Sequence, residues 1–292
     1  MEPIGKRTVP PSMTLAPSVS ALPAVSATML VTLAAKALVA TDAPEIHYPH
    51  RRSQEILREL EIDPRSFNLN PSEVRAVVLR SQWFGQTVRR FLNSHPDGVC
   101  INLGCGLDAS FEELEQVDDR FMWLDVDLPD VIAIRRRFFA ENARRRIIAG
   151  DITDSRLFAT IPWDHGRPAI VVAEGVLFFL ERAQVESLFR AQAEAADARR
   201  ADLEIAFDYA SPFGAWIVTR RPAHRQLGTT FQWTVHNPSE LRRVDPRLEV
   251  VEDSNVFLNA MGTGARQLDA LYHLVSGSSL GGCAHLRRTP AA

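Results

Sequence analysis

Five short apolar runs recur through the middle of this chain, and each stops at a glycine or an acid before helical sequence begins. Val99–Leu103 stops at Gly104-Cys105-Gly106, and Phe121–Leu124 at Asp125-Val126-Asp127. Arg146–Ala149 stops at Gly150-Asp151, Ala169–Ala173 at Glu174-Gly175, and Leu203–Phe207 at Asp208. The runs are nearly continuous rather than alternating, as strands buried on both faces are. Strands that alternate with helical stretches predict an α/β fold with a doubly wound, mostly parallel sheet. Two later runs, Leu248–Val251 and Cys283–Arg288, are placed to complete seven strands, the last of them antiparallel.

About 95 residues precede the first strand. Residues 1–26 are rich in Pro, Ala and Ser and are read as a mobile N-terminal arm. Residues 27–97 are read as a helical cap. Leu30, Leu33, Ala34, Ala37 and Leu38 recur at helical spacing over Met29–Val39, and a second helix runs near Ser53–Leu60. Asn70-Pro71-Ser72-Glu73 opens a third, continuing through Val74, Val77 and Val78, and a fourth covers Phe84–Leu92. Residues 98–292 form the core, with a lid insertion near 210–245. Within the core, a long helix is expected from Pro129 to Arg144.

Composition narrows the function. A net charge of −3 gives no general basic balance toward nucleic acid. The clusters Arg135-Arg136-Arg137 and Arg144-Arg145-Arg146 are read as a solvated helix face. Three cysteines without a CxxC pair give no disulfide framework, so a cytoplasmic protein is expected. The eight histidines form no HExxH, and no metal site is expected. No apolar run approaches the roughly 20 residues of a membrane span, so no membrane partner is expected. Cys105 is read as a small filler, with no histidine beside it.

Open α/β sheets bind ligands beyond the carboxyl ends of their strands, where the polar residues of this chain fall. Gly104 and Gly106 allow a sharp turn and close approach of a ligand. Asp125 or Asp127, about 20 residues on, can accept both hydroxyls of a ribose. Asp151 can accept from an adenine amino group, and Glu174 ends the fourth run. An acid after a strand also serves as a helix cap. Four successive strand ends with an acid or a glycine turn are harder to read as caps.

Asn102-Leu-Gly-Cys-Gly-Leu-Asp108, Trp123-Leu-Asp-Val-Asp-Leu-Pro129, Gly150-Asp-Ile-Thr-Asp154 and Ala173-Glu-Gly-Val-Leu-Phe-Phe-Leu180 together resemble the leucine carboxyl methyltransferase / TcmP-like polyketide O-methyltransferase family. The Asp127-Leu-Pro129 and Glu174-Gly-Val-Leu177 blocks are the specific part. The resemblance covers most of residues 27–209. It implies a class I methyltransferase with a Rossmann-like sheet, and S-adenosylmethionine as cofactor. It further implies that Gly104 and Gly106 form the cofactor loop and that Asp127 holds the ribose, with Asp125 as its near alternative. Asp151 and the Ile152 backbone would meet the adenine, and Glu174 the amino-acid end. Lys36 and Arg80 lie where a basic cap residue meets the cofactor carboxylate, with Arg75 a weaker candidate. Many relatives read Gly-Leu-Asp-Thr-Arg, whereas this chain reads Gly106-Leu-Asp-Ala-Ser110 and lacks that cation.

The expected acceptor is a small molecule bearing a hydroxyl or carboxylate, such as a polyketide or other secondary metabolite. A carboxylate needs no base, whereas a phenol benefits from one. His236, Asp208 and Tyr209 are the candidates for that role. His236 also fits a surface histidine before the Asn237 helix cap. Phe178 and Phe179 face the acceptor or pack a helix, and His47, Tyr48 and Trp83 are candidates to line a lid. Oligomeric state has no sequence signature here. Two rival readings are an NAD(P)-dependent oxidoreductase, since Gly104-x-Gly106-x-x-Ala109 fits the dinucleotide pattern, and a cofactor-binding partner protein without catalysis.

Overall fold

A computed structural model of the chain describes residues 24–115, 120–221, 225, 228–256 and 260–289. Seven strands form one sheet: β1 (Val99–Leu103), β2 (Met122–Asp127), β3 (Arg145–Ala149), β4 (Ala169–Ala173), β5 (Leu203–Ala210), β6 (Leu248–Ser254) and β7 (Gly281–Arg288). Their order is β3-β2-β1-β4-β5-β7-β6. Strands β1 to β5 are parallel, and β7 is antiparallel to both β5 and β6. The chain builds outward from β1 to β3 and then returns to β4 on the other side. A topological switch point therefore lies between β1 and β4, where such sheets bind ligands.

Register sets the site. Leu103 lies opposite Val126 and Asp127 opposite Ala149, so the glycine turn, Asp127 and Gly150-Asp151 are neighbouring strand tips. Ala173 lies opposite Phe207, which brings Glu174 beside Asp208.

The helices are α1 (Ala24–Asp42), α2 (Arg51–Glu59), α3 (Pro71–Ser94), α4 (Ser110–Glu115), α5 (Pro129–Phe138), α6 (Leu157–Thr160), α7 (Arg182–Arg199), α8 (Pro212–Val218) and α9 (Thr263–Ser276). One sheet face packs Ile101, Val171, Ile205 and Phe207 against Val185, Leu188 and Phe189 of α7. The other packs Cys100, Trp123, Ile170 and Val172 against Trp83, Phe84, Val88 and Phe91 of α3. Coverage of both faces explains the continuous apolar runs, with each large side chain so buried stabilising the fold by roughly 1.5–3 kcal/mol. In the cap, Leu30, Leu33 and Ala37 of α1 pack on Ile56, Leu57 and Phe67 and against Ile132 and Phe138 of α5.

Three boundaries differ from the sequence reading. Residues 1–23 of the expected arm lie outside the described residues, and 24–26 already belong to α1. The third and fourth cap helices are one, α3, started by a capping box in which Asn70 and Glu73 satisfy each other's backbone N–H groups. Nothing between Val78 and Phe84 breaks it, and Gly85 costs only about 1 kcal/mol relative to alanine. The helix expected to reach Arg144 stops at Phe138. Phe139 turns extended, and the Asn142 side chain accepts from the backbone of Arg144 and Arg145 to open β3.

Candidate active site

A cavity of about 940 Å³ opens at the carboxyl ends of the parallel strands, beneath α1 and α3. That is the upper end of the range for small-molecule sites. Gly104, Gly106, Asp127, Asp151, Glu174 and Asp208 all line it. Gly104 has φ +61°, and a Cβ there would stand 2.4 Å from Val176 Cγ2, so both the backbone and the space require glycine. Gly106 donates its N–H to Asp127 Oδ2 at 2.7 Å, and Leu128 donates to Oδ1 at 2.8 Å. Burial pushes the Asp127 carboxyl up to about 6, against these two hydrogen bonds. Each carboxylate oxygen has a second acceptor direction, so Asp127 retains capacity for a ligand diol.

Asp125 has no such capacity. It is fully buried, lies outside the cavity lining, accepts from Trp123 Nε1, Asn102 Nδ2 and Arg145 Nε, and pairs with Arg135 at 2.9 Å. The reading of Asp125 as an alternative ribose ligand is corrected accordingly. Arg135 is also not on a solvated face. Its guanidinium donates to the carbonyls of Cys105, Gly106 and Asp108, holding the glycine loop from below. The signal was present in the sequence: Arg135 follows Val131 and Ile132 by four and three residues and precedes Phe138 by three, on the buried stripe of α5.

Both expected cap cations reach the cavity, each already beside an acid. Lys36 of α1 donates to Asp108 at 2.7 Å. Burial works against the Lys36 charge, but Asp108 and, more weakly, Tyr48 and Glu174 outweigh it and hold its pKa well above the ordinary value. Arg80 of α3 donates through Nε to Glu174 Oε1 at 3.2 Å and stands 3.0 Å from Asp208 Oδ2. Ser81 donates to the same Glu174 oxygen at 2.6 Å, and Gly175 donates its N–H to Asp208 Oδ1. The Arg80–Asp208 contact has no aligned N–H, so buried Oδ2 keeps its accepting capacity. Burial, opposed by Arg80, pushes the Asp208 carboxyl up to about 6. At the β3 tip, beside that of Asp127, Asp151 Oδ1 accepts from the N–H and hydroxyl of Thr153, and Ile152 lines the cavity.

Beyond Arg80 and Glu174 the cavity becomes an apolar chamber. Its walls include Phe178, Phe231, Ile217, Leu268 and Leu280, with the Phe178 and Phe231 rings stacked at 4.4 Å. In the sequence, Phe231-Gln232-Trp233 belongs to the less secure part of the resemblance, and its stacking on Phe178 has no local signal. Tyr209 lines the chamber, but its hydroxyl donates to Asp253 Oδ1, and burial, then Asp253, raises its pKa far above the ordinary value. His236 is exposed and outside the cavity lining, with its backbone donating to Glu240, so it is a surface residue before the Asn237 cap. Trp83 donates to Glu252 outside the cavity lining, and Lys36 lies over the Tyr48 ring.

A sequence model of the leucine carboxyl methyltransferase family matches residues 24–193, from α1 to the middle of α7. The chain belongs to this family. It is therefore a methyltransferase that uses S-adenosylmethionine. It is 30% identical to the tetracenomycin polyketide synthesis O-methyltransferase TcmP of Streptomyces glaucescens, over 83% of this chain and 87% of that one. It is 27% identical to the S-adenosyl-L-methionine-dependent methyltransferase dpfgK of Gibberella zeae, over 77% and 80%. A crystal structure of a DUF574 family protein from Streptomyces avermitilis shares the fold, with a TM-score of 0.54 at 13% identity over 87% of this chain and 97% of that one.

The methyltransferase's donor set fits the cofactor. Asp127 offers unfilled lone pairs to a diol, and the glycine turn leaves backbone open to close approach. Acids and cations lie together at the Arg80–Glu174 end, as an ammonium and a carboxylate on one ligand require. The Ala109-Ser110 departure removes a cation from the loop, while Lys36 stands 2.7 Å from Asp108 in the same loop.

Proposed function

We propose that this methyltransferase methylates an oxygen, hydroxyl or carboxylate, of a small and largely apolar acceptor such as a polyketide or related secondary metabolite. The observation that carries the reading is the continuity of one cavity, from charged strand tips to a chamber walled by Phe178, Phe231, Ile217 and Leu268. The similarity to TcmP supports the acceptor class.

When bound, S-adenosylmethionine supplies an electrophilic methyl group on a sulfonium. In this reading Asp127 accepts from the ribose hydroxyls, and Asp151 with the Ile152 backbone meets the adenine. Glu174 accepts from the ammonium, and Arg80 or Lys36 faces the carboxylate. The residues then act mainly by holding acceptor oxygen and methyl carbon in line about 3 Å apart, with water excluded by the apolar walls. For a hydroxyl acceptor, Asp208 is the group placed to take the proton, because its Oδ2 has no hydrogen-bond partner among the described residues. The Tyr209 hydroxyl is committed to Asp253 and takes no part in that step.

The test is incubation with S-adenosylmethionine labelled in its methyl group and a panel of phenols and aromatic carboxylic acids. Label transferred to an acceptor and lost on mild alkaline treatment marks an ester; alkali-stable label marks an ether. Cofactor binding with no transfer to any member of the panel would favour a binding protein without catalysis.

A further inference from the structure

Helices α8 and α9 line the outer end of the apolar chamber through Ile217, Val218, Ala265 and Leu268, yet turn other large apolar residues to solvent. Trp216 is 52% exposed, Leu271 60%, Leu274 83% and Val275 81%. Phe213 stacks on Trp216 and meets Tyr272 across the two helices, so the side chains form one patch. In all of α9 only Asp269 is buried, where it accepts from Ser279 and the Leu280 N–H and anchors the helix. Several large, mostly exposed apolar side chains on one face give an area on the order of several hundred Å², a size that marks an interaction surface.

Charge selects the partner. Arg220 and Arg225 are exposed beyond α8, and α9 adds the exposed Arg266, with the buried Asp269 as its only acid; Arg221 instead pairs with Glu73 at 3.6 Å and lines the cavity. Arg220 lies over the Trp216 ring at 4.0 Å. This rim is basic on a chain whose net charge is −3. Pairing two copies through this face would bring two arginine rims together, whereas an anionic surface complements them. Tryptophan, leucine and valine projecting beside arginines is the composition of an element that lies in a membrane interface.

We infer that the α8–α9 face docks on an anionic lipid surface, from which an apolar acceptor enters the chamber between the same two helices. The entry route rests on the proposed acceptor class; the docking itself does not. It stands against the expectation of no membrane partner, which rested on the absence of a spanning segment.

The test uses the full chain with vesicles of phosphatidylcholine alone and of phosphatidylcholine mixed with phosphatidylglycerol. Co-sedimentation with the mixed vesicles and not with the neutral ones is expected, and added salt should weaken it. Leu274→Glu with Val275→Glu should lower vesicle affinity by roughly tenfold or more, and Arg225→Gln or Arg266→Gln by about fivefold each. None of these side chains lines the cavity, so cofactor affinity by calorimetry should stay unchanged in every variant and report an intact fold. A failure of the proposed acceptor class would appear as no methyl transfer to any apolar acceptor in the unaltered chain while vesicle binding persists. No binding to mixed vesicles, binding indifferent to Leu274→Glu, or a solution dimer that Leu274→Glu splits would each overturn the inference.

Discussion

The Arg135 guanidinium stands 2.9 Å from the Asp125 carboxylate, and both side chains are fully buried. The pair links the second strand to the cofactor loop, because the same guanidinium holds the carbonyls of Cys105, Gly106 and Asp108. Arg145 joins from β3 at 2.8 Å, so one carboxylate faces two buried cations. Replacing Arg135 with methionine keeps much of the volume but strands three carbonyls and weakens the balance around Asp125. Arg135→Met should destabilise the fold by about 3 kcal/mol, read from urea unfolding. Cofactor affinity should fall as well, because Gly106 would lose its support. Unchanged affinity at reduced stability would confine Arg135 to the core.

A second expectation concerns pH. Asp127 is pushed up to about 6 by burial, and its ionised form is the better acceptor for Gly106, Leu128 and a ribose. A ligand that favours the ionised form of a group with a raised pKa binds more weakly below that pKa. Affinity should therefore rise as pH increases through about 6 and level off above it. Calorimetry across that range checks the slope. Asp127→Asn should weaken binding by about tenfold or more, through loss of charge-assisted hydrogen bonds, and should remove the Asp127 part of the slope. An unaltered affinity in that variant would take Asp127 out of the site.

Gly104→Ala tests the loop by shape alone. Its φ of +61° disfavours a side chain, and the new Cβ would overlap Val176. A cost of about 1–3 kcal/mol is expected from the backbone conformation and the clash. Adding Val176→Ala should relieve the clash but not the backbone strain, so thermal unfolding should recover only in part. Full recovery would mean that the positive φ costs nothing here.

Much of this was legible in the sequence because buried parallel strands are punctuated by their own tips. The five parallel runs, the glycine turn, an acid at Asp125 or Asp127, and Asp151 and Glu174 at their strand ends were readable from residue type and spacing, whereas the choice of Asp127 came through resemblance. Lys36 and Arg80 were reached through resemblance, and their approach to the cavity depends on helix packing that no local pattern encodes. Asp125 and Asp127 are two residues apart on one strand and looked interchangeable. What separates them is depth: Asp127 stands at the tip, while Asp125 lies one step inside, where Arg135, Arg145, Trp123 and Asn102 converge. His236 is the surface histidine before the Asn237 cap that its sequence context already offered beside the catalytic reading. Phe231 stacks on Phe178 from 53 residues away, a contact that only the tertiary fold creates.

Asp208 offers the sharpest division between the two acceptor chemistries. Asp208 lines the cavity, and its buried Oδ2 has no hydrogen-bond partner among the described residues, with the Arg80 cation 3.0 Å away. Asp208→Asn keeps the shape and leaves an oxygen able to accept from Gly175, but it can no longer take a proton. With a hydroxyl acceptor, kcat should fall by a factor on the order of 10² or more, while cofactor affinity changes little. The unaltered enzyme should then lose rate as pH falls through about 6, where Asp208 becomes protonated and cannot act as a base. With a carboxylate acceptor no proton moves, and removing a negative charge near the incoming anion should leave kcat intact or raise it. Measuring kcat and KM for one phenol and one carboxylic acid with both proteins separates the cases. A phenol methylated equally well by the asparagine variant would show that Asp208 holds Gly175 and Arg80 in place without serving as the base.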